Sequence, residues 1–500
     1  MIVGVDVGTQ SLKVAVLDAA LQIRGRAARS YPLLYPRLGW IEQDPRQWER
    51  ALAPAIADAL GAAGAEPRRV SAIGICGQLD GCIATDADGA ALSHCLTWMD
   101  RRAGAEIADI PAALIHAECG VVLDPSHFAA KARWLKRHLA PIRPIARFHQ
   151  PVSYLVERLT GTACIDHALA STSMLYALDR PGYDPALLQL FGLSGSELPA
   201  IAAAESRAGY LTEHGGALTG LPKGLPVAVG TGDDFSTPLG AGLTAPGRVA
   251  ISLGTGEVIG ALHSKPIRDG SGLVETHAYP GGHFYVENPG WLCGGSLVWL
   301  RDLLGLGAFS EMDKLAEDVT PGADGLTFIP ALTGAMAPEW LPEARGCFYG
   351  MTAAHGRGHF IRAVLEGCAF AMRDVIDRMA DLGVATESIL LLGGGAKSRL
   401  WAQMRADISG RPVMVPDSVD TSPVAAAMLA AVAGGIVADL STATRTVGNS
   451  RITYAPDYGR AGTYNAAYQA YRRLFQALKP IFVDSMARGG GPGAMQDCGA

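Results

Sequence analysis

The sequence predicts two α/β domains with a cleft between them, and three observations lead there. Five hundred residues exceed what one hydrophobic core grows around, so two or more domains are expected. A strand–Gly turn–strand pattern occurs twice, once at the start of each half of the chain. Between the two occurrences, apolar strand patterns such as Val70 to Cys76 alternate with amphipathic stretches such as Phe128 to Leu139, which favours layered α/β structure.

The first hairpin runs from Ile2 to Asp18: apolar Ile2, Val3 and Val5, a turn at Gly8-Thr9-Gln10-Ser11, then Val14 and Val16 in alternation. Arg248 to Ala261 repeats it, with Val249 and Ile251, Gly254-Thr255-Gly256, then Val258 and Ile259. A repeat at this spacing suggests two related halves. The expected division is 1–245 and 246–483, with the boundary in the Gly- and Pro-containing stretch 240–247. A third Gly cluster, Gly393-Gly394-Gly395, follows the apolar strand Ile389 to Leu392 and precedes the helical pattern Ser398 to Ile408, a turn where backbone can approach a ligand. After Pro480 the periodicity fades, and residues 484–500 read as a mobile, Gly-rich tail.

Composition narrows the function. A formal net charge of −6 with no block of like charge argues against nucleic acid and anionic membrane as partners. Nine scattered cysteines without a CxxC pair read as reduced thiols of a cytoplasmic protein, and the N-terminus lacks the pattern of a signal peptide. The longest apolar run, Val424 to Ala438, is ~15 residues against the ~20 that cross a bilayer, so it reads as a buried helix.

Asp6 sits at a strand end just before the first turn, where amides and hydroxyls can face phosphate oxygens, with Lys13 close behind. Such a carboxylate can hold Mg2+, usually through water. One hairpin of this kind is equally well a plain polar turn, whereas two such turns facing each other across a cleft fit a nucleotide whose phosphates lie between them. Val229-Gly230-Thr231-Gly232-Asp233-Asp234 ends another apolar strand in glycines and two acids. Capping of a following helix explains Asp234. Asp233 in the cleft would accept the proton of an attacking hydroxyl and help to position Mg2+. Competing motifs fail: Ala396 stands where GxxxxGK[ST] requires glycine before Lys397, and neither GxGxxG with its distal acid nor HExxH is present. That leaves a nicotinamide oxidoreductase or a zinc hydrolase without support.

These residues together resemble the FGGY carbohydrate kinases, of the actin-like (ribonuclease H-like) ATPase fold, and most closely their xylulokinase-like members. The resemblance runs from about residue 2 to residue 475. Gly346-Cys347-Phe348-Tyr349-Gly350-Met351, His359-Phe360 and Ala363-Val364-Leu365-Glu366 fit the family's second signature throughout. The first signature is partial: Lys131, Trp134, Leu135 and His138 fit, while Phe128 and Ala132 depart. Gly39 to Pro45, Gly294 to Leu297 and Gly393 to Pro412 are also similar.

The resemblance implies an ATP- and Mg2+-dependent sugar kinase with two actin-like domains flanking a central cleft, and family habit suggests a homodimer. It places Gly8, Thr9, Ser11 and Lys13 at the first phosphate loop, Gly254 and Thr255 at the second, and Gly394, Gly395 and Ala396 against the adenosine. Asp233 takes the catalytic position of a GGGD-type motif, and Asp6 and Asp233 the metal. The sugar site of the resemblance comprises Gln78, Leu79, Asp80, Trp98, Asp100 and Asp233. There the sequence departs from pattern. Gly77-Gln78-Leu79-Asp80-Gly81 stands where xylulokinases carry Gly-Gln-Met-His-Gly, so Asp80 replaces a histidine. An acid accepts two hydroxyl hydrogen bonds and repels carboxylates, which turns the expectation from sugar acids toward a neutral ketopentose or polyol; a helix cap is the other reading of Asp80. In Trp98-Met99-Asp100-Arg101-Arg102, Asp100 either meets a hydroxyl or holds Arg102. Gly334-Ala335-Met336-Ala337-Pro338 lacks the two charges the family carries there. D-xylulose is the leading substrate, ahead of ribulose or another ketose or alditol, and a nucleotide-binding regulator without catalysis is the alternative class.

Overall fold

A computed structural model describes residues 1–418, 420–447 and 451–487. Most of the expected tail lies outside the described residues. In the first half, β1 (Ile2–Val7), β2 (Ser11–Leu17) and β3 (Ile23–Ser30) form an antiparallel meander. Helix α1 (Pro45–Ala62) follows, started by Pro45 and by the Asp44 carboxylate, which accepts from the Arg46 amide. Strand β4 (Ala72–Gly77) then pairs in parallel with β1. After α2 (Phe128–His138) come β5 (Arg207–Tyr210), β6 (Pro226–Ala228) and the short β7 (Thr231–Gly232). The sheet order is β5-β6-β4-β1-β2-β3, with β7 also paired to β4.

The second half repeats that plan. Helix α3 (Asp233–Gly240) leads to the hairpin β8 (Gly247–Leu253) and β9 (Gly256–His263), then to β10 (Glu275–Tyr279) and β11 (His283–Leu292). Helices α4 (Gly294–Leu303) and α5 (Arg357–Asp381) precede β12 (Thr386–Leu392), α6 (Arg399–Ser409) and β13 (Val413–Pro416); α7 (Ser422–Ala433), β14 (Arg451–Tyr454) and α8 (Ala461–Ala487) follow. The order is β10-β11-β9-β8-β12-β13-β14. In both sheets a hairpin strand pairs in parallel with the strand that follows a crossover, so the repeated hairpins open two sheets of the same plan.

Helix α7 is the apolar run that the sequence read as buried. Its residues are buried almost throughout, and no described helix is long and apolar enough to cross a membrane. It packs on the sheet of the other half. A Cβ built at Gly4 would lie 1.9 Å from the Pro423 carbonyl oxygen, and one at Gly74 would lie 2.1 Å from that of Ala426. Backbone meets backbone there, so only glycine fits on β1 and β4. One expectation needs correction. The helical pattern continues through Pro480 to Ala487, because burial of Phe475 and Phe482 on one face outweighs the hydrogen bond that proline removes.

Candidate active site

Three parallel strands deliver the acids to one edge. Asp6 on β1 is in register with Cys76 on β4, which is in register with Thr231 on β7. Each strand ends one residue beyond those positions, so Gly8, Gln78 and Asp233 emerge side by side. Asp6 is 5% exposed, and its Oδ1 has no hydrogen-bond partner among the described residues. Burial, reinforced by Asp233 and opposed by Lys13, pushes its carboxyl up to about 8. Burial likewise pushes Asp233 up to about 6, while the amides of Asp233 and Asp234 pull it back. Gly232 holds the N-cap position, and both acids lie in the first turn of α3. Burial lifts Asp234 well above the carboxylate range, with Glu287, Asp233 and Asp80 adding to it.

The first turn is braced from behind. The Gly8 amide donates to Ser11 O (3.1 Å), Tyr31 Oη donates to Gly8 O (2.6 Å), and Gln43 Nε2 donates to Thr9 O. Lys13 spans the two halves: its Nζ donates to Asp420 Oδ1 at 3.0 Å. On the second half, the Gly295 amide at the start of α4 donates to Thr255 O (2.9 Å), anchoring the Gly254 turn. Strands β8 and β12 run in parallel and end together, Ser252 opposite Leu392. Gly393 follows with φ of 80°, and a Cβ there would lie 2.5 Å from Leu253 O. The turn Gly394 to Lys397 is thus pressed against the second hairpin, with Gly394 facing open space and Ala396 buried.

On the other side of Asp233, Gln78 is buried; its Nε2 donates to Gln43 Oε1 (2.6 Å) and its own Oε1 is unpartnered among the described residues. Leu79 packs at the margin of the first core. Asp80 adopts φ of 53°, which asparagine and aspartate tolerate better than most residues. Its Oδ1 accepts from Thr172 Oγ1 (2.9 Å) and from the Phe128 amide (3.2 Å), the first amide of α2. Its Oδ2 meets His127 Nδ1 at 3.0 Å. Asp80 therefore does cap a helix, though one distant in sequence, and the second lone pair of Oδ2 remains for another donor. Trp98 is 46% exposed, and its Nε1 donates to Thr9 Oγ1 (3.0 Å), tying the acceptor side to the first turn. Asp100 is sealed: it accepts from the Ile41 amide (2.7 Å) and from Arg102 Nη2 (2.7 Å), and Arg102 stacks 3.7 Å over Trp40. Of the two roles open to Asp100, the structure brings it to Arg102.

His127 and Thr172 were not singled out from the sequence. His127 directly precedes the partial first signature, where the departure at Phe128 was the only signal; nothing local marks Thr172. Burial works against a charged His127 ring, but Asp80 outweighs it and carries the ring up from 6.5 to about 9. The pair's contribution to stability is therefore full below about pH 6.5 and is lost as pH rises through about 9. The Tm advantage of the parent over His127→Gln is expected to shrink between pH 6.5 and 9.5 in thermal melts; a gap constant across that range would contradict a charged pair.

The family model for the FGGY family of carbohydrate kinases, N-terminal domain, matches residues 1–240, and that for the C-terminal domain matches residues 249–434. The chain belongs to the FGGY family of carbohydrate kinases. It is 32% identical to a glycerol kinase of Gloeobacter violaceus, over 88% of this chain and 89% of that one. It is 30% identical to a xylulose kinase of Escherichia coli, over 96% and 100%. The solved structure of xylulose kinase from Rhodospirillum rubrum superposes with a TM-score of 0.89 at 29% identity, covering 96% of this chain and 99% of that one. FGGY membership makes this protein an ATP-dependent carbohydrate kinase with the two-domain, actin-like fold. Glycerol and xylulose kinases match it at similar identity, so membership alone leaves the acceptor open.

Proposed function

We propose that this FGGY kinase transfers the γ-phosphoryl group of ATP to a hydroxyl of a small neutral ketose or alditol, with D-xylulose, giving D-xylulose 5-phosphate, as the leading acceptor. The convergence of Asp6, Gln78 and Asp233 at the ends of three parallel strands supports this most directly. In the reaction the acceptor oxygen forms a bond to the γ-phosphorus, the bond from that phosphorus to the β,γ-bridging oxygen breaks, and ADP leaves. Asp233 takes the hydroxyl proton. A carboxyl raised by burial to about 6 is still mostly ionised at neutral pH and more basic than an exposed aspartate, which suits a general base.

The turn carrying Gly8, Thr9 and Ser11 on one side and the turn carrying Gly254 and Thr255 on the other line the phosphate path, and Gly394, Gly395 and Ala396 form the adenosine wall. Asp6 and Asp233 fit a hydrated Mg2+: Oδ1 of Asp6 is buried without a partner among the described residues, and burial together with the nearby Asp233 raises the Asp6 carboxyl, so a cation is called for. Bound there, Mg2+ supplies positive charge against the phosphate oxygens. Gln78, Asp80 and the indole of Trp98 orient the acceptor, and Asp100 keeps the Trp98 segment in place through Arg102. Lys13 contributes its charge near the first loop from its ion pair with Asp420.

The acceptor side carries Asp80, Asp233 and Asp234, an environment that disfavours sugar acids. His127 beside Asp80 bears on the departure from the xylulokinase pattern, because an imidazole from α2's entry stands next to the position where those kinases carry histidine. An alditol such as glycerol is the second acceptor reading, and the equal match to glycerol kinases favours keeping it. A coupled ATP-consumption screen over pentuloses, hexuloses, alditols and sugar acids tests the proposal. Turnover of a neutral ketose or alditol is expected; no turnover on any of them would overturn it in favour of a regulator. Asp80→His is expected to change the ranking of neutral acceptors by about tenfold, a hydrogen bond to a charged group being worth that much. An unchanged ranking would reduce Asp80 to its helix cap.

A further inference from the structure

The second half brings a buried acid–imidazole pair to the acceptor side that no sequence motif marked. Strands β10 and β11 form one edge of the second sheet, with Glu275 opposite Glu287. That edge is fastened to the first half: the Thr276 amide donates to Gly120 O (3.0 Å), the Val122 amide to Glu275 Oε1 (2.7 Å), and the Ala278 amide to Ser171 Oγ (2.9 Å). The first turn of α3 rests on it, the Phe235 ring lying edge-on to His277 at 5.8 Å. His277 Nε2 is 3.0 Å from Glu287 Oε1.

Glu287 is 3% exposed, and its second oxygen, Oε2, has no partner among the described residues. A structural glutamate in the same sheet looks different. Glu257, also fully buried, has both oxygens matched by Arg405, at 2.5 and 2.8 Å. A buried carboxylate oxygen left unmatched is destabilising, so a donor is called for. Glu287 reaches the acceptor end of the site through its partner: His277 packs on Phe235, next to Asp234 in the first turn of α3, and the charge of Glu287 raises both Asp233 and Asp234. With Glu275 opposite it and Asp234 also close by, an anion is excluded as the missing partner, and a neutral hydroxyl donor fits.

We infer that Glu287, oriented by His277, binds a hydroxyl of the acceptor, so that recognition of a polyhydroxylated substrate is shared by both halves of the molecule. This rests on the acceptor-kinase reading above and extends it. Glu287 contacts substrate, and His277 is a positioning residue. Because the pair belongs to the second sheet and Asp80 to the first half, an acceptor held by both also holds the two halves together around it.

The test compares the parent with Glu287→Ala, Glu287→Gln and His277→Asn, using the best acceptor from the screen and its single-deoxy analogues. In Glu287→Ala the acceptor KM is expected to rise about tenfold or more while the KM for ATP stays within about twofold. The parent's preference for the complete acceptor over one particular deoxy analogue, about 10- to 100-fold, is expected to collapse in Glu287→Ala and to weaken at that same hydroxyl in the other two variants. A merely structural role would lower stability without erasing discrimination at a single hydroxyl. Should Glu287→Ala not fold, the Glu287→Gln comparison decides. Parental discrimination against every deoxy analogue in the folded variants would overturn the inference alone, whereas a parent that phosphorylates no acceptor would overturn the function reading beneath it.

Discussion

Asp233→Asn is expected to lower acceptor phosphorylation by roughly 10²- to 10⁴-fold, the range that a positioned general base contributes, with the melting temperature and the affinity for ATP close to those of the parent. The amide is isosteric and can still accept the hydrogen bonds of the Asp233 and Asp234 amides that the carboxylate accepts, so the first turn of α3 is preserved. What is lost is the capacity to take the acceptor proton and half of the acid pair facing Asp6. Steady-state kinetics with the best acceptor, together with calorimetric titration of ATP, separate these effects. A variant that turns over at the parent rate would remove Asp233 from the role of base and direct attention to Asp234, its neighbour in the same turn.

The second large effect concerns stability. Replacing glycine by alanine in a folded chain ordinarily gains a few tenths to ~1 kcal/mol by restricting the unfolded state, where the native backbone permits it. At Gly74 the expected sign is reversed. The added Cβ would lie 2.1 Å from Ala426 O and 3.2 Å from the Ala430 side chain, so α7 must move off β4 or the strand must bend. Overpacking of this kind costs about 1–3 kcal/mol, and Gly74→Val, with two further methyl groups in the same gap, is expected to exceed ~4 kcal/mol and to fail to accumulate as soluble protein. Gly61→Ala on α1, where nothing lies within 4 Å, serves as the control, with stability equal to or above the parent's. Soluble yield of Gly74→Val and thermal melts of the two alanine variants check the order; a Gly74→Ala protein as stable as Gly61→Ala would refute backbone contact between α7 and the first sheet.

That contact also marks where reading the sequence stopped. The periodicity of Val424 to Ala438 identified a buried helix, and the repeated hairpins identified two related sheets. Neither pattern says that a helix of the second half lies on the sheet of the first. The glycines at positions 4 and 74 held the information, but a glycine in a strand is equally compatible with a bulge or a bend. At the site, Asp6, Gln78, Asp80 and Asp233 were legible because each follows an apolar strand in a recognisable motif. His127, Thr172, His277 and Glu287 were not, since they reach the same region from a helix entry, a loop, an edge strand and the strand beside it, with no motif of their own.

Local order is encoded locally, and the sequence by itself determined what depends on it: two α/β halves opened by matching hairpins, a buried Ala-rich helix, and a set of acids and glycines at strand ends that fit the FGGY pattern. Tertiary structure alone decided which of those groups still lack a partner. It tied Asp100 to Arg102 and Lys13 to Asp420, gave Asp80 a helix cap and an imidazole, and left Oδ1 of Asp6 and Oε2 of Glu287 buried and unmatched among the described residues. The physical reason is that satisfaction of a polar group depends on partners that the fold brings to it, from Arg102 two residues from Asp100 to Asp420 at 407 residues from Lys13, and spacing along the sequence does not say which of the candidate meetings takes place.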